Sequence, residues 1–208
     1  MSETYLRRYT DITSLINILT NQELILVDPK SWDDKNDSHF IDVYKEKMGL
    51  KSVLALCFSQ SSETYHHWSV FAKGPSGVCI KFKKSSIESF IKKNKDLKLK
   101  ELEYLTVKEL SINGIKKNDL PFVKRTPFEP EKEIRLLWES KNENISSFSL
   151  KIDISSIVQI TVSPWMHKSL LDSIRILLKS IEGCEKLKII RSTIISNSDW
   201  FKYGENAK

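Results

Sequence analysis

SVLALCFS, residues 52–59, is apolar almost without a break. The run has strand length, and the lack of polar alternation fits a strand covered on both faces. It predicts the central strand of a sheet. Shorter strands are expected at 5–9 and 24–27 before it. After it come GVCIKF (77–82), 101–107, the end of FEPEKEIRLLWES (128–140), the alternating FSLKIDI (148–154), SIVQITVSP (156–164) and LKIIRSTI (187–194).

Helices are expected between them. Thr10 or Asp11 caps one whose apolar residues Ile12, Leu15, Ile16 and Leu19 share a face, and Asn21 ends it. The turn-rich loop KSWDDKND (30–37) leads to a helix over 38–47. SETYHHWSVFAK (62–73) reads as a helix capped by Ser62, with Tyr65, Trp68 and Phe71 three residues apart. Residues 86–93 read as a short helix, and 108–127 as an irregular excursion or lid with some helix. Residues 166–181 read as the longest amphipathic helix, closed by Gly183. The tail after Asn197 reads as loose, with Trp200, Phe201 and Tyr203 free to dock. The expectation is one α+β domain over 1–208, with a core of 1–196 and a tail of 197–208. Its sheet is mixed and largely antiparallel, with flanking helices.

The bulk composition narrows the class. The 208 residues are 40% hydrophobic and 29% charged, the balance of a folded globular chain. No apolar run approaches the ~20 residues of a membrane span, and the N-terminus lacks an apolar signal core. These features point to a cytoplasmic protein away from membranes. The net charge of +6 suits a nucleic acid or another polyanion, though no aromatic residues interleave the lysine runs for base stacking.

Several chemistries lack their motifs. The three cysteines form no CxxC pair, which argues against a zinc or disulfide framework. The four histidines form no HExxH, and adjacent His66 and His67 point ~100° apart on a helix, so no metal is expected. There is no GxSxG, and Gly74-Pro75-Ser76-Gly77 lacks the ending of a phosphate loop. What remains is polar residues gathered at strand ends: Arg7 and Arg8, the 33–37 loop, Trp68-Ser69, and Glu131, Glu133 and Arg135. Glu129, Glu131 and Glu133 stand two apart at the mouth of a strand. Taken alone they read as a charged turn; taken with the rest they mark one end of a sheet as a cleft.

The order of these motifs resembles the bacterial family catalogued as domain of unknown function 2971. The matching positions are Arg8-Tyr9, Asp34, Asp37, Cys57-Phe58-Ser59, Trp68-Ser69, Gly77-Val78-Cys79-Ile80, Lys124, Glu131, Glu133 and Arg135. The chain departs from that family at Asp33-Asp34-Lys35-Asn36, where the family has Asn-Asp-Pro-Phe. It also has Phe71 for a tyrosine and Phe128 for a tryptophan. The opening LRRYTDITSLINILTNQEL is similar to the start of DNA-targeting ADP-ribosyltransferase toxins and RNA 2′-phosphotransferases. That likeness implies an ADP-ribosyltransferase-like fold, NAD as substrate, and a setting in phage defence or a toxin system.

By this resemblance Glu133 is the catalytic carboxylate and Glu131 its partner toward an acceptor. Arg8, Tyr9, Thr10, Trp68 and Ser69 bind the cofactor, and Asp34, Asp37, Lys124 and Arg135 are further cleft candidates. The chemistry is coherent. A carboxylate stabilises an oxocarbenium-like ribose, an arginine forks onto phosphate, and Trp68 or Tyr9 stacks on nicotinamide. Glu131 and Glu133 are expected on one face of an extended segment. Two readings are open: an NAD-using enzyme acting on a macromolecular acceptor, or a non-catalytic module that binds a nucleotide or nucleic acid.

Overall fold

A computed structural model describes residues 3–207. Along them β1 (Tyr5–Asp11) runs into α1 (Ile12–Asn21) and returns through β2 (Glu23–Val27). Then follow α2 (Lys35–Met48), β3 (Ser52–Ser59), α3 (Tyr65–Phe71), β4 (Gly77–Lys83), α4 (Lys84–Ile91), β5 (Leu97–Glu101) and β6 (Glu103–Leu105). Next are α5 (Val107–Asn113), β7 (Val123–Arg125), β8 (Glu133–Ser140) and β9 (Ser147–Lys151). The last elements are β10 (Ile157–Val162), α6 (Lys168–Lys179), β11 (Ile189–Arg191) and α7 (Ser198–Glu205).

β3 is the hub of the sheet. Along one edge it pairs antiparallel with all of β8, from Ser52 opposite Ser140 to Ser59 opposite Glu133. Its other edge is shared. Ala55 meets Val27 of β2, and Ser59 meets Arg7 of β1. The sheet therefore splits, with β1 leading to β4, β10 and β11 while β2 leads to β9; β5 extends the sheet beyond β8. In this sheet every pair is antiparallel except β10–β11; β6 and β7 form a separate parallel pair. The fold is α+β with a mixed, largely antiparallel sheet, as the pattern of runs predicts.

Burial explains why residues 52–59 lack alternation. Leu54, Leu56 and Phe58 join the main core, where α1, α4 and α6 contribute Leu15, Ile87 and Leu171. Val53 and Ala55 face the other way, against Ile41 and Tyr44 of α2. A separate patch on Tyr9 and Cys79 is covered by Trp68 of α3 and by Ala72 just after that helix. Continuing the alternation of Val53 and Ala55 are Cys57 and Ser59, with Arg135 and Glu133 paired opposite them. These four polar or weakly polar residues mark where the cover of α2 gives way to that of α3.

Several boundaries differ from expectation for local reasons. α2 begins at Lys35 because Asp34 accepts from the N–H groups of Asn36 and Asp37. α3 begins at Tyr65, capped by Thr64 rather than Ser62. Residues 101–107 do not make one strand; β5 ends at Glu101 and β6 covers Glu103–Leu105. The helix expected in the excursion is α5, which begins one residue before it and is opened by a capping box between Thr106 and Glu109. α6 has 12 residues and α2 has 14, so α6 is not the longest helix. The tail is not loose throughout. Asn197 caps α7, on which Trp200 and Tyr203 stay exposed instead of docking. No helix among the described residues is long and apolar enough to cross a membrane.

The junction of α3 and β4 is close-packed. A Cβ on Gly77 would lie 2.1 Å from the carbonyl oxygen of Ala72. Gly77→Ala is expected to lower unfolding free energy in urea by about 1–3 kcal/mol, the usual range for overpacking. Gly204→Ala, which meets nothing within 4 Å, is expected to cause no loss.

Candidate active site

A cleft of about 400 Å³ opens where the cover of the sheet is interrupted. β1 supplies Arg7, Arg8 and Tyr9, and the loop before α2 supplies Trp32 and Asp34. Asp37 of α2 and Cys57 and Ser59 of β3 also line it. α3 contributes His67, Val70 and Phe71, and the far wall holds Lys124, Phe128, Glu131 and Glu133. Arg8, Tyr9, Val70 and Phe71 also border an adjoining opening of about 420 Å³, where Thr10 lies.

The base of the site is an ion cluster. Arg135 is fully buried. Its Nη1 and Nη2 donate to the two oxygens of Asp37 at 2.8 and 2.6 Å, and Nε donates to Glu133 Oε1 at 2.9 Å. Nη1 also donates to the carbonyl of Pro121 at 2.7 Å, and the ring of Trp32 lies 4.9 Å from the guanidinium carbon. Burying a cation is expensive unless its donors are met, and here the planar fork is met on three sides. Lys124 Nζ then bridges the two glutamates, 2.6 Å from Glu131 Oε2 and 3.3 Å from Glu133 Oε2. The ring of Phe128 lies 4.7 Å from that ammonium.

The two carboxyls differ electrostatically. Burial pushes Glu133 up, but Arg135 and Lys124 outweigh it and hold the group below the ordinary glutamate range. For Glu131 burial wins over Lys124, and its carboxyl is shifted up. Pairs of acids driven apart in this way are suited to different roles. Strand alternation does not bring them together. Glu131 closes a 3-10 turn over Thr126–Glu131, Lys132 takes a left-handed φ of 43°, and Glu133 opens β8. The turn and Lys124, not an extended segment, aim both at the cleft.

The residues singled out in the sequence divide accordingly. Arg8, Tyr9, Asp34, Asp37, Lys124, Glu131 and Glu133 line the cleft, and Thr10 lies in the adjoining opening. Arg8 donates to the carbonyl of Cys57 at 3.2 Å, and Glu133 is among the charges acting on it. Arg135 lies beneath the cleft. Trp68 does not line it: the indole is fully buried, donates to Glu63 at 2.6 Å and meets Tyr9 edge-on. Ser69 is outside as well. The cleft face of α3 is His67 and Phe71, one turn apart. Trp32 and His67 carry no site role in the sequence pattern; Phe71 and Phe128 enter there only as departures from the family, and Arg7 only among the polar residues at strand ends. Only helical phase, read from which face of α3 is buried, could have chosen Phe71 over Trp68. Among the described residues no group of three or more His, Cys, Asp or Glu side chains is placed to hold a metal ion.

No family model and no curated protein matches the chain, so membership of the domain of unknown function 2971 family remains an expectation from its motifs. Solved structures do show a distant likeness. The chain is similar to DarT of Thermus sp. 2.9 in complex with ADP-ribosylated ssDNA, at 10% identity and a TM-score of 0.49, covering 91% of this chain and 94% of that one. It is similar to the same protein in complex with NAD+, at 11% identity and a TM-score of 0.46, covering 92% and 96%. At this distance neither family nor activity follows from the likeness.

The Arg135 cluster makes a stability prediction. Arg135→Met leaves Asp37 and Glu133 buried without their main partner, and the expected loss in denaturant unfolding is about 3–5 kcal/mol. Arg135→Lys is expected to recover little of it, because one ammonium cannot reproduce the fork.

Proposed function

We propose that this cleft binds NAD, cleaves its nicotinamide–ribose bond and transfers ADP-ribose to a macromolecular acceptor or to water. The observation that carries the reading is Glu133. It is a buried carboxylate kept ionised by Arg135 and Lys124 in the wall of a nucleotide-sized cleft that also presents Arg8. When the C1′–N bond breaks, nicotinamide leaves with the electron pair and positive charge develops on the ribose. A preorganised anion held away from bulk water stabilises that charge. A bond from C1′ to the acceptor then forms, and Glu131, the carboxyl shifted toward neutral pH, takes the acceptor's proton.

Other groups suit the remaining parts of the ligand. Arg7 and Arg8 stand where pyrophosphate would be met by guanidinium donors. Tyr9 already has His67 stacked on it at 5.0 Å. Trp32, Phe71 and Phe128 are therefore the rings assigned to stack on a base or on nicotinamide. Thr10, in the adjoining opening, is placed for the outer part of an extended dinucleotide.

The second reading, a binding module without catalysis, is favoured by one observation: a +6 chain with two arginines in its cleft. Incubation with NAD and measurement of free nicotinamide separates the two. Wild type is expected to release nicotinamide, and Glu133→Gln to release at least about a hundredfold less, the scale of losing one electrostatic stabiliser, while melting within a few degrees of wild type. Normal turnover by Glu133→Gln would remove Glu133 from the mechanism. Absence of both release and NAD binding in wild type, with polyanion binding that weakens steeply in salt, would establish the binding module instead.

A further inference from the structure

The hydroxyl of Ser59 joins the two walls of the cleft. It donates to the carbonyl of Glu131 at 2.6 Å. Its single proton is then spent, so its other partners must donate to it: the N–H of Ser61 at 3.0 Å and Nε2 of His67 at 3.1 Å. His67 must therefore carry a proton on Nε2. Its Nδ1 lies 2.5 Å from Thr64 Oγ1, which in turn accepts the N–H of His67 at 3.2 Å. With Nδ1 as acceptor the Thr64 proton points at the ring, and the direction of each bond in the chain is assigned: Thr64 to His67, His67 to Ser59, Ser59 to Glu131.

We propose that His67 is a positioning residue for the Glu131 turn, acting through Ser59 by a relay that requires a proton on Nε2 of the imidazole. The ring is 1% exposed and lies at 22° to Tyr9, so it has little room to turn away. A second proton on Nδ1 would turn the Thr64 hydroxyl from donor to acceptor and leave the bond from Nε2 to Ser59 in place. The titratable and charged groups facing the ring are Arg7 and Tyr9 from β1, His66 from α3 and Glu131 from the turn, whose carboxylate is engaged by Lys124. Burial holds the imidazole below the ordinary histidine range. The Glu131 carbonyl pulls the other way, and His66 and Arg7 add to the burial effect. A backbone bond from Gln60 to the carbonyl of Lys132 ties the same turn one residue further on. The relay adds control of the Glu131 carbonyl, and with it the direction from which that side chain reaches Lys124.

The role rests on the NAD reading only where turnover is measured, so the test has two arms. In nitrogen-15 spectra of the imidazoles at neutral pH, His67 is expected as the pure Nε2–H tautomer, and Ser59→Ala is expected to blur that signature. A Nδ1–H tautomer in wild type, which leaves Nε2 without a proton, would overturn the proposal, whether or not the protein turns over NAD. In the second arm, His67→Phe keeps the stack on Tyr9 but gives Ser59 no donor. It is expected to lower the rate of nicotinamide release by about tenfold, a change of ~1.4 kcal/mol in barrier, with KM for NAD little changed. His67→Gln keeps an N–H for Ser59 and is expected to restore most of the rate. Wild-type turnover by His67→Phe, or no recovery by His67→Gln, would overturn the relay. No release by wild type at all would reject the NAD reading and leave the first arm to decide the role of His67.

Discussion

A cation buried in the middle of a sheet sets the terms for everything around it. Arg135 sits on β8 with no access to solvent, and its partners come from three separate parts of the chain: Asp37 on α2, the carbonyl of Pro121 before β7, and Glu133 on its own strand. A guanidinium without those partners would be excluded from such a place. The demand for them holds α2 and the segment before β7 against the sheet. Lys124 extends the demand outward, because Glu133 keeps one oxygen for Arg135 and offers the other to Lys124, which also holds Glu131. The surface the cleft presents is therefore the outer layer of a charge network whose inner layer is dry.

The split of the sheet leaves room for that surface. β8 occupies one edge of β3, while β1 and β2 share the other at opposite ends. α2 covers the sheet around Val53 and Ala55, α3 covers Tyr9 and Cys79, and the cleft lies between these two covers. The polar residues there meet polar side chains of both helices, Arg135 with Asp37 of α2 and Ser59 with His67 of α3. The same geometry brings Arg8 on β1 within electrostatic reach of Glu133 on β8, although neither strand pairs with the other.

Two adjacent glutamates acquire different chemistry from this frame. Both are nearly as buried as core residues, yet only Glu133 has the direct contact with Arg135 that overcomes burial. Among the described residues Glu131 has Lys124 alone among cations within bonding distance, and burial prevails. A bond from Ser59 and a left-handed residue at Lys132 fix where Glu131 points. These are second-layer features, carried by a hydroxyl and a backbone angle, and they leave little trace in a residue pattern.

The sequence by itself determined the elements that obey a period. The unbroken run at 52–59 identified the hub strand because burial on both faces removes alternation, and the stripe of Leu15 and Leu19 identified α1 because one helical face is buried. It also gathered Arg7, Arg8, Asp34, Asp37, Glu131 and Glu133 as polar residues at element ends, and these six line one cleft, whereas Trp68, Ser69 and Arg135 of the same set do not. Where local chemistry competed, the reading slipped: Thr64 outbid Ser62 as a cap, and an asparagine cap gave helical order to a tail that reads as loose. Only the tertiary structure decided that Trp68 is core and Phe71 is cleft, since both belong to one short helix and the distinction depends on what packs against each side. Only it decided that Arg135 lies beneath the site, and that Glu131 and Glu133 meet through a turn and a lysine. The physical reason is the same in each case. Periodicity reports how much of a face is buried, whereas the partner that buries it and the charge that faces it come from residues tens of positions away.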